Sequence, residues 1–222
     1  GRQSEYSLSF LSSFKSQKQL KSPLSIKGAL PFSIDTRGLS FGELESDVDL
    51  EKFSLAELSS FIGTPISGNL SASGTISGPL SSLKSDLSIE LENPQISAVR
   101  LQEEWKGKFL GALDTGGELI MSSIGAAVPG QFEAKFKDNL TLKSLFLQRL
   151  GGSLSLDQTD DGYNWQAKDF RLDRLEVAIP PSKSFRRTFG RLYGNGSMRT
   201  DPFLIDGQLT YQYPRLLGIN LK

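Results

Sequence analysis

Two residue types that carry much of protein chemistry are missing from this chain of 222 residues, which has no cysteine and no histidine. Without cysteine there is no disulfide, no thiol nucleophile and no cysteine-ligated metal. Without histidine the chain lacks the commonest general base and metal ligand at neutral pH. The two absences exclude Ser–His–Asp and Cys–His catalysis and most zinc sites. We therefore expect a protein that is not an enzyme, with no catalytic residue, metal or cofactor.

An excess of charge of either sign is also missing, because Lys+Arg and Asp+Glu number 25 each. A nucleic-acid-binding protein normally carries a basic excess that neutralises phosphates. We therefore expect no nucleic-acid partner.

Long apolar runs are absent as well, although a membrane-spanning helix needs roughly 20 such residues. The nearest candidate, 119–128, is interrupted by Ser122, Ser123 and Gly125. No signal peptide opens the chain. We expect a segment of a longer protein, whose targeting and anchoring signals lie elsewhere in that protein.

What the chain does have is a strict alternation of apolar and polar residues. Leu87, Ile89 and Leu91 alternate with Ser88 and Glu90, which is the pattern of a strand with one apolar and one polar face. The alternation recurs in the runs 6–10, 30–34, 66–80, 132–136, 163–167, 175–179 and 203–213. Many short strands at regular spacing predict an all-β fold, as a sandwich, a barrel or an extended curled antiparallel sheet.

Turn residues separate these runs. The predicted turns are Thr36-Arg37-Gly38, Asn93-Pro94, Gly116-Gly117, Gly151-Gly152, Asp160-Asp161-Gly162, Gly194-Asn195-Gly196 and Asp201-Pro202. The basic stretch 180–191 predicts a loop or a poorly formed helix.

One short helix is predicted near 54–62. Ser54 and Glu57 have the spacing of a capping box, and Leu55, Leu58, Phe61 and Ile62 would then share one helix face.

Two groups of charged residues have alternative interpretations. Asp157, Asp160 and Asp161 could bind a hard cation, but Asp-Asp-Gly between two strands is favoured in a hairpin turn. Lys183, Arg186, Arg187 and Arg191 could contact anionic head groups, and a solvated loop is the favoured alternative.

The stretch Phe53–Leu91 reads as a short helix, then GTPISGNLSASGTISGPL, then another alternating strand. It resembles the repeating unit of the TamB and AsmA-like family, including the TamB-like proteins of cyanobacteria and the chloroplast envelope. A second, shorter segment, DPFLIDGQL at 201–209, resembles another element of the same family.

The resemblance implies a β-taco, an elongated curled antiparallel sheet whose half-pipe is lined with apolar side chains. We take residues 1–222 as one such segment, with two subunits joined near 93–118 as an alternative. It also implies a protein anchored in an inner membrane and extending through the periplasm or envelope intermembrane space. There it would carry phospholipid acyl chains between the inner and outer membranes and support outer-membrane biogenesis. The expected partners are a BamA-type outer-membrane barrel protein, translocon subunits and β-barrel clients.

The residues expected to line the lipid groove are apolar and lie in step with the alternation. They are Ile66, Leu70, Ile76, Leu80, Leu87, Ile89, Leu91, Phe132, Phe136, Val177, Ile179, Ile205 and Leu209. Two other functions stay open: a scaffold for outer-membrane protein assembly or protein translocation through strand pairing, and a structural sandwich of an adhesin with a filled interior.

Overall fold

The structure is a computed structural model that describes residues 4–14, 24–35, 38–59, 65–112, 114–125, 127–138, 141–178, 184–200 and 203–216. Almost all of these residues lie in strands, because their apolar and polar side chains alternate. Leu55–Leu58 form a 3₁₀ turn. The strands are β1 (Ser4–Phe14), β2 (Leu24–Asp35), β3 (Gly38–Phe41), β4 (Leu44–Ser54), β5 (Ile66–Gly78), β6 (Lys84–Ile96), β7 (Val99–Leu101), β8 (Glu104–Ala112), β9 (Gly116–Ile124), β10 (Gln131–Phe136), β11 (Leu142–Arg149), β12 (Gly152–Thr159), β13 (Gly162–Arg171), β14 (Leu175–Ala178), β15 (Phe185–Thr200) and β16 (Phe203–Leu216).

The described strands form one antiparallel sheet of 16 strands, which curls part of the way into a ring. Most neighbours in the sheet are also neighbours in sequence, as expected for a meander. The predicted fold class, an all-β curled antiparallel sheet, is confirmed. It differs from the two packed sheets of a sandwich.

Cross-strand register aligns the apolar residues into continuous rows, because side chains of directly paired residues lie on the same face. We define the inner face by two such rows. The first row is Ile26, Val48, Gly74, Leu87, Phe109, Leu119, Ala134, Leu145, Leu156, Trp165, Gly196 and Gly207. The second row is Leu24, Leu50, Ala72, Ile89, Gly107, Met121, Phe132, Leu147, Leu154, Ala167, Gly194 and Leu209. Neither row contains a charged residue.

The opposite, outer face is mainly polar. The row between the two inner rows is Ser25, Asp49, Ser73, Ser88, Lys108, Ile120, Glu133, Phe146, Ser155, Gln166, Asn195 and Gln208. Exposed ion pairs cross the strands on this face, including Lys106–Glu90 at 2.7 Å and Lys135–Glu118 at 3.4 Å. The alternation therefore sorts the two faces as the sequence predicts.

Part of the sheet closes into the ring through two bent strands, of which one consists of β7 and β8 and the other of β13 and β14. β7 and β8 follow one another along the same edge of β6, and β13 and β14 do the same along β15. β8 and β13 are separated by β9 to β12, whereas β7 and β14 pair directly. We call the end where Val99–Leu101 meet Leu175–Val177 the pinch. We call the opposite end, with the turns after β5, β8, β10 and β12, the mouth.

The buried core lies near the pinch. Ala167, Phe170 and Leu175 are buried together, and part-buried leucines at 101, 147, 154, 172 and 192 surround them. Away from the pinch, the inner-face residues of β5 and β6 are only half-buried. The molecule is therefore an open, curved sheet with a packed core at one end.

The predicted helix near 54–62 is only partly confirmed. Ser54 precedes the 3₁₀ turn in an extended conformation and makes no side-chain cap hydrogen bond, so the predicted capping box is wrong. The hydroxyl of Ser59 instead bonds both backbone groups of Ile66, which ties the turn to β5. Phe61 and Ile62 lie outside the described residues.

Some predicted turns are confirmed and others are wrong. Asp160 and Asp161 form the two-residue loop between paired Thr159 and Gly162, and Gly151 lies in the turn before β12. Asn93-Pro94, by contrast, lies within β6, where Asn93 has a φ of 50° and the pairing with β5 is irregular. This is a bulge, which uses the same residue types as a turn. Gly116 and Gly117 begin β9, directly after a turn. Thr36-Arg37 and Asp201-Pro202 lie outside the described residues.

Two further predictions fail in β15. Gly194-Asn195-Gly196 lies inside this strand, and residues 185–191, which were expected to form a loop or helix, are its first seven residues. A Cβ on Gly196 would lie 2.0 Å from the carbonyl oxygen of Asp206 and 2.8 Å from Nε1 of Trp165. Glycine is required here for close approach of a strand and an indole, which is a second use of glycine that local sequence does not distinguish from a turn. Residues 180–183 lie outside the described residues.

Candidate functional site

The candidate site is the inner face between the pinch and the mouth. Seven of the predicted lining residues lie there on β5, β6 and β10 and are half-buried: Leu70, Ile76, Leu87, Ile89, Leu91, Phe132 and Phe136. Leu70 pairs with Leu91, and Phe136 packs edge to face against Phe109 with ring centroids 6.1 Å apart. The structure therefore brings these residues onto one continuous surface.

The remaining predicted residues are more scattered. Ile205 and Leu209 lie on the edge strand β16 and are 60% and 61% exposed. Val177 lies on β14 at the pinch, paired with Val99. Ile66 lies beyond a register shift in β5 and pairs with Ile96. Leu80 is an exposed turn residue outside the strands, so it does not belong to a strand face as predicted. Ile179 lies outside the described residues.

The structure adds lining residues that the sequence-based set omits. They lie on β8, β9, β11, β12 and β13 and are Phe109, Leu119, Leu145, Leu147, Leu154, Leu156 and Trp165. Alternation is present in each of these segments, for example Leu145, Leu147 with Phe146, Gln148. It is harder to recognise there because Phe146 and Ile120 place apolar side chains on the outer face, where both are exposed.

Arg149 is the charged residue that sequence reasoning missed. It follows Leu145 and Leu147 in the inner-face alternation, is 2% exposed and donates to Oε1 of Glu103 at 2.5 Å. It also donates to the carbonyl oxygens of Arg171 and Asp173, at 3.3 and 3.0 Å. Glu103 lies at the bend between β7 and β8, and Asp173 lies at the bend between β13 and β14. Arg149 therefore holds both bends together at the pinch.

Exposed contacts reinforce the pinch on its outer side. Gln102 donates to Glu176 at 2.6 Å, Arg100 forms an ion pair with the same carboxylate at 3.5 Å, and the Arg100 guanidinium lies 3.9 Å from the ring centre of Phe185. The backbone N–H of Gln102 also donates to the carbonyl of Arg174. The strands of the pinch are thus joined by side-chain contacts as well as by their few backbone hydrogen bonds.

The titratable groups with shifted pKa values lie in exposed ion pairs. The hydrogen bond with Glu90 raises the pKa of Lys106, and the hydrogen bond with Lys135 lowers the pKa of Glu133. The Tyr193 hydroxyl, which donates to Asp169 at 2.6 Å, lowers the pKa of that carboxyl, with a further contribution from Arg191. These groups occupy the solvated side of the sheet.

The predicted basic cluster lies only partly within the described residues. Arg186, Arg187 and Arg191 lie on β15, and Arg191 forms an ion pair with Asp169 at 3.1 Å. Lys183 lies outside the described residues. Within the described part of the chain, no group of three or more acidic residues is placed to hold a metal ion.

Comparison with protein-family models, with curated proteins and with solved structures gives no match for this chain. Over the residues that the structure describes, no helix has the length and apolar character needed to cross a bilayer.

Proposed function

We propose that this chain is a non-enzymatic segment that carries or shields lipid acyl chains along its inner face. The observation that carries the proposal is the continuity of the two inner rows, which run from β2 to β16 without a charged residue. A linear apolar ligand that lies along the strands, between the mouth and the pinch, would cross both rows and meet no charged side chain in either.

The energetics favour this occupant. Exposing an acyl chain to water costs about 0.8 kcal/mol per CH₂, or roughly 12 kcal/mol for a sixteen-carbon tail. Half-buried apolar side chains such as Leu87, Ile89 and Phe132 offset much of that cost, while the head group remains in water. Leaving the inner face uncovered would itself be unfavourable, because monomeric soluble proteins rarely expose large continuous apolar patches.

The cellular setting of the proposal rests on the resemblance of 53–91 to the TamB and AsmA-like family. In that setting the chain lies in the periplasm or the envelope intermembrane space, between an inner-membrane anchor and a BamA-type outer-membrane partner. It supports outer-membrane biogenesis by moving phospholipid between the two membranes.

Charge placed on the inner face tests the proposal, because a carboxylate beside an acyl chain is costly. The variants are Leu70→Asp, Ile76→Asp, Ile89→Asp and Phe132→Asp, with Ser71→Asp and Ser88→Asp as outer-face controls on the same strands. Lipid capture is measured by native mass spectrometry of the purified chain and by transfer of a fluorescent phospholipid. We expect capture by the parent chain and the controls, and loss in folded inner-face variants. Equal capture by both sets of variants would contradict the proposed face.

A second candidate function is a scaffold that binds an extended segment of a client or translocon protein at a sheet edge. The observation that favours it is β16, a 14-residue strand at the end of the sheet, on which Leu204, Ile205 and Leu209 are all more than half exposed. A photo-crosslinker at Gln208 distinguishes the two functions. Crosslinks to protein but not lipid in envelope extracts support the scaffold, and the reverse supports lipid carriage.

A further inference from the structure

The pinch gives the groove two unlike ends. At the pinch, the ring consists of the two bent strands, β7–β8 and β13–β14, with β9 to β12 between them. A closed ring of about eight strands is only just wide enough for its own side chains to fill. The ring at the pinch has fewer strands than this, so it leaves no passage for an acyl chain. The buried core of Ala167, Phe170 and Leu175 at this end agrees with that.

The mouth has the opposite character. Its turns carry exposed residues of both negative and positive charge, among them Asp114, Lys137 and Asp160. Between the mouth and the pinch, inner-face residues such as Leu119 and Leu145 are half-buried. The surface thus runs from a polar rim, over a partly solvated apolar wall, to a dry core.

We propose that the pinch is a stop for the acyl chain, so that the groove is blind at this end and selects single linear chains by length. The inference rests on the proposed lipid-binding function and adds an orientation to it. The terminal methyl group lies against Leu147 and Leu154 at the core, and the head group lies in water at the mouth.

A blind groove and a through groove differ in how affinity depends on chain length. Each added CH₂ that enters the groove strengthens binding by about fourfold, from the transfer free energy of a methylene group. In a blind groove this gain ends once the methyl group reaches the core, because further carbons remain in water at the mouth. In a groove open at both ends, the gain continues.

The probes are saturated lysophosphatidylcholines of increasing chain length, kept below their critical micelle concentrations, with dissociation constants measured by calorimetry. For the parent chain we expect about fourfold tighter binding per CH₂ up to one length and a plateau beyond it. Leu154→Ala removes side-chain carbons next to the stop and should move the start of the plateau to longer chains. Phe146→Ala is the matched control, because Phe146 is exposed on the outer face and pairs with Ser155, the neighbour of Leu154.

Three outcomes overturn the inference in distinguishable ways. A constant gain across the whole series shows an open end, and the lipid-binding function then still stands. A plateau that stays at the same length in Leu154→Ala and Phe146→Ala places the stop elsewhere than at the core. Failure of the folded parent chain to bind any member of the series overturns both the stop and the proposed function.

Discussion

Arg149 occupies a position that the alternation assigns to an apolar side chain. It is held there by Glu103 and by two backbone carbonyls, which together offset the cost of burying its charge. Oε2 of Glu103 and Nε of Arg149 have no hydrogen-bond partner among the described residues. A buried pair that is incompletely satisfied adds little net stability, yet breaking it is costly because one charge is left unpaired.

This asymmetry gives a prediction for stability. Arg149→Met should lower the free energy of unfolding by about 3–5 kcal/mol, because it leaves Glu103 buried without its counter-charge. The double variant Glu103→Leu with Arg149→Met should be more stable than Arg149→Met alone. Urea unfolding followed by circular dichroism measures both. Lys106→Met, in an exposed ion pair, is the control and should leave the midpoint nearly unchanged. A double variant less stable than either single variant would contradict the account of the pinch.

Asp169 provides a pH-dependent prediction. Its pKa is held below the ordinary value mainly by the Tyr193 hydroxyl, and Tyr193→Phe should therefore raise this pKa toward the value of an ordinary aspartate. A carboxyl with a lowered pKa stabilises the fold above the pKa of the unfolded chain, and this stabilisation is lost as the pH falls through the folded value. In Tyr193→Phe the stabilisation should therefore be smaller; its loss still begins near the pKa of the unfolded chain but should be complete at a higher pH.

The pKa of Asp169 can be measured by carbon-detected NMR titration of its carboxyl group. Tyr163→Phe is the control, because the Tyr163 hydroxyl donates to the carbonyl of Leu142 instead. An Asp169 pKa that is the same in the parent chain and in Tyr193→Phe would show that the hydroxyl does not hold the carboxylate.

At the scale of single elements, the runs at 87–91, 132–136 and 163–167 are strands as predicted, because alternation is a local property that survives in any half-buried strand. Glycine was the main source of error. Gly151 lies in a turn with a φ of 88°, whereas Gly196 lies inside a strand beneath Trp165. The sequence around them does not differ enough to separate the two uses, since the reason for Gly196 lies on β13 and β16.

Gly196→Ala tests this second use of glycine. The added Cβ would meet the Asp206 carbonyl and Trp165 at less than 3 Å, so we expect β16 to shift away and the indole to be displaced. Overpacking of this kind typically costs about 1–3 kcal/mol. Chemical unfolding measures the loss, and tryptophan emission reports the displacement. Ser197→Ala, at the next and exposed position of β15, should change neither quantity. Equal stability of the two variants would refute the close contact.

For the whole molecule, the one-faced sheet was predictable and the ring was not. The order of neighbouring strands follows largely from the meander, because sequential strands tend to pair. The pairing of β7 with β14 joins residues more than seventy positions apart, and no local pattern in Val99–Leu101 or Leu175–Val177 encodes it. The inner-face residues on β5, β6 and β10 could therefore be predicted from sequence, but the pinch and its buried ion pair could not.

The central claim is that the inner face is open to an acyl chain, and the two tryptophans of the chain allow a direct measurement. Trp165 lies half-buried in the first inner row, whereas Trp105 is buried near the pinch. In a Trp105→Phe variant, the fluorescence of Trp165 should be quenched by phospholipid with brominated acyl chains and not by the unbrominated lipid. The quenching should disappear when Ile89→Asp is added. If Trp165 emission is the same with both lipids while the protein stays folded, the inner face does not hold an acyl chain.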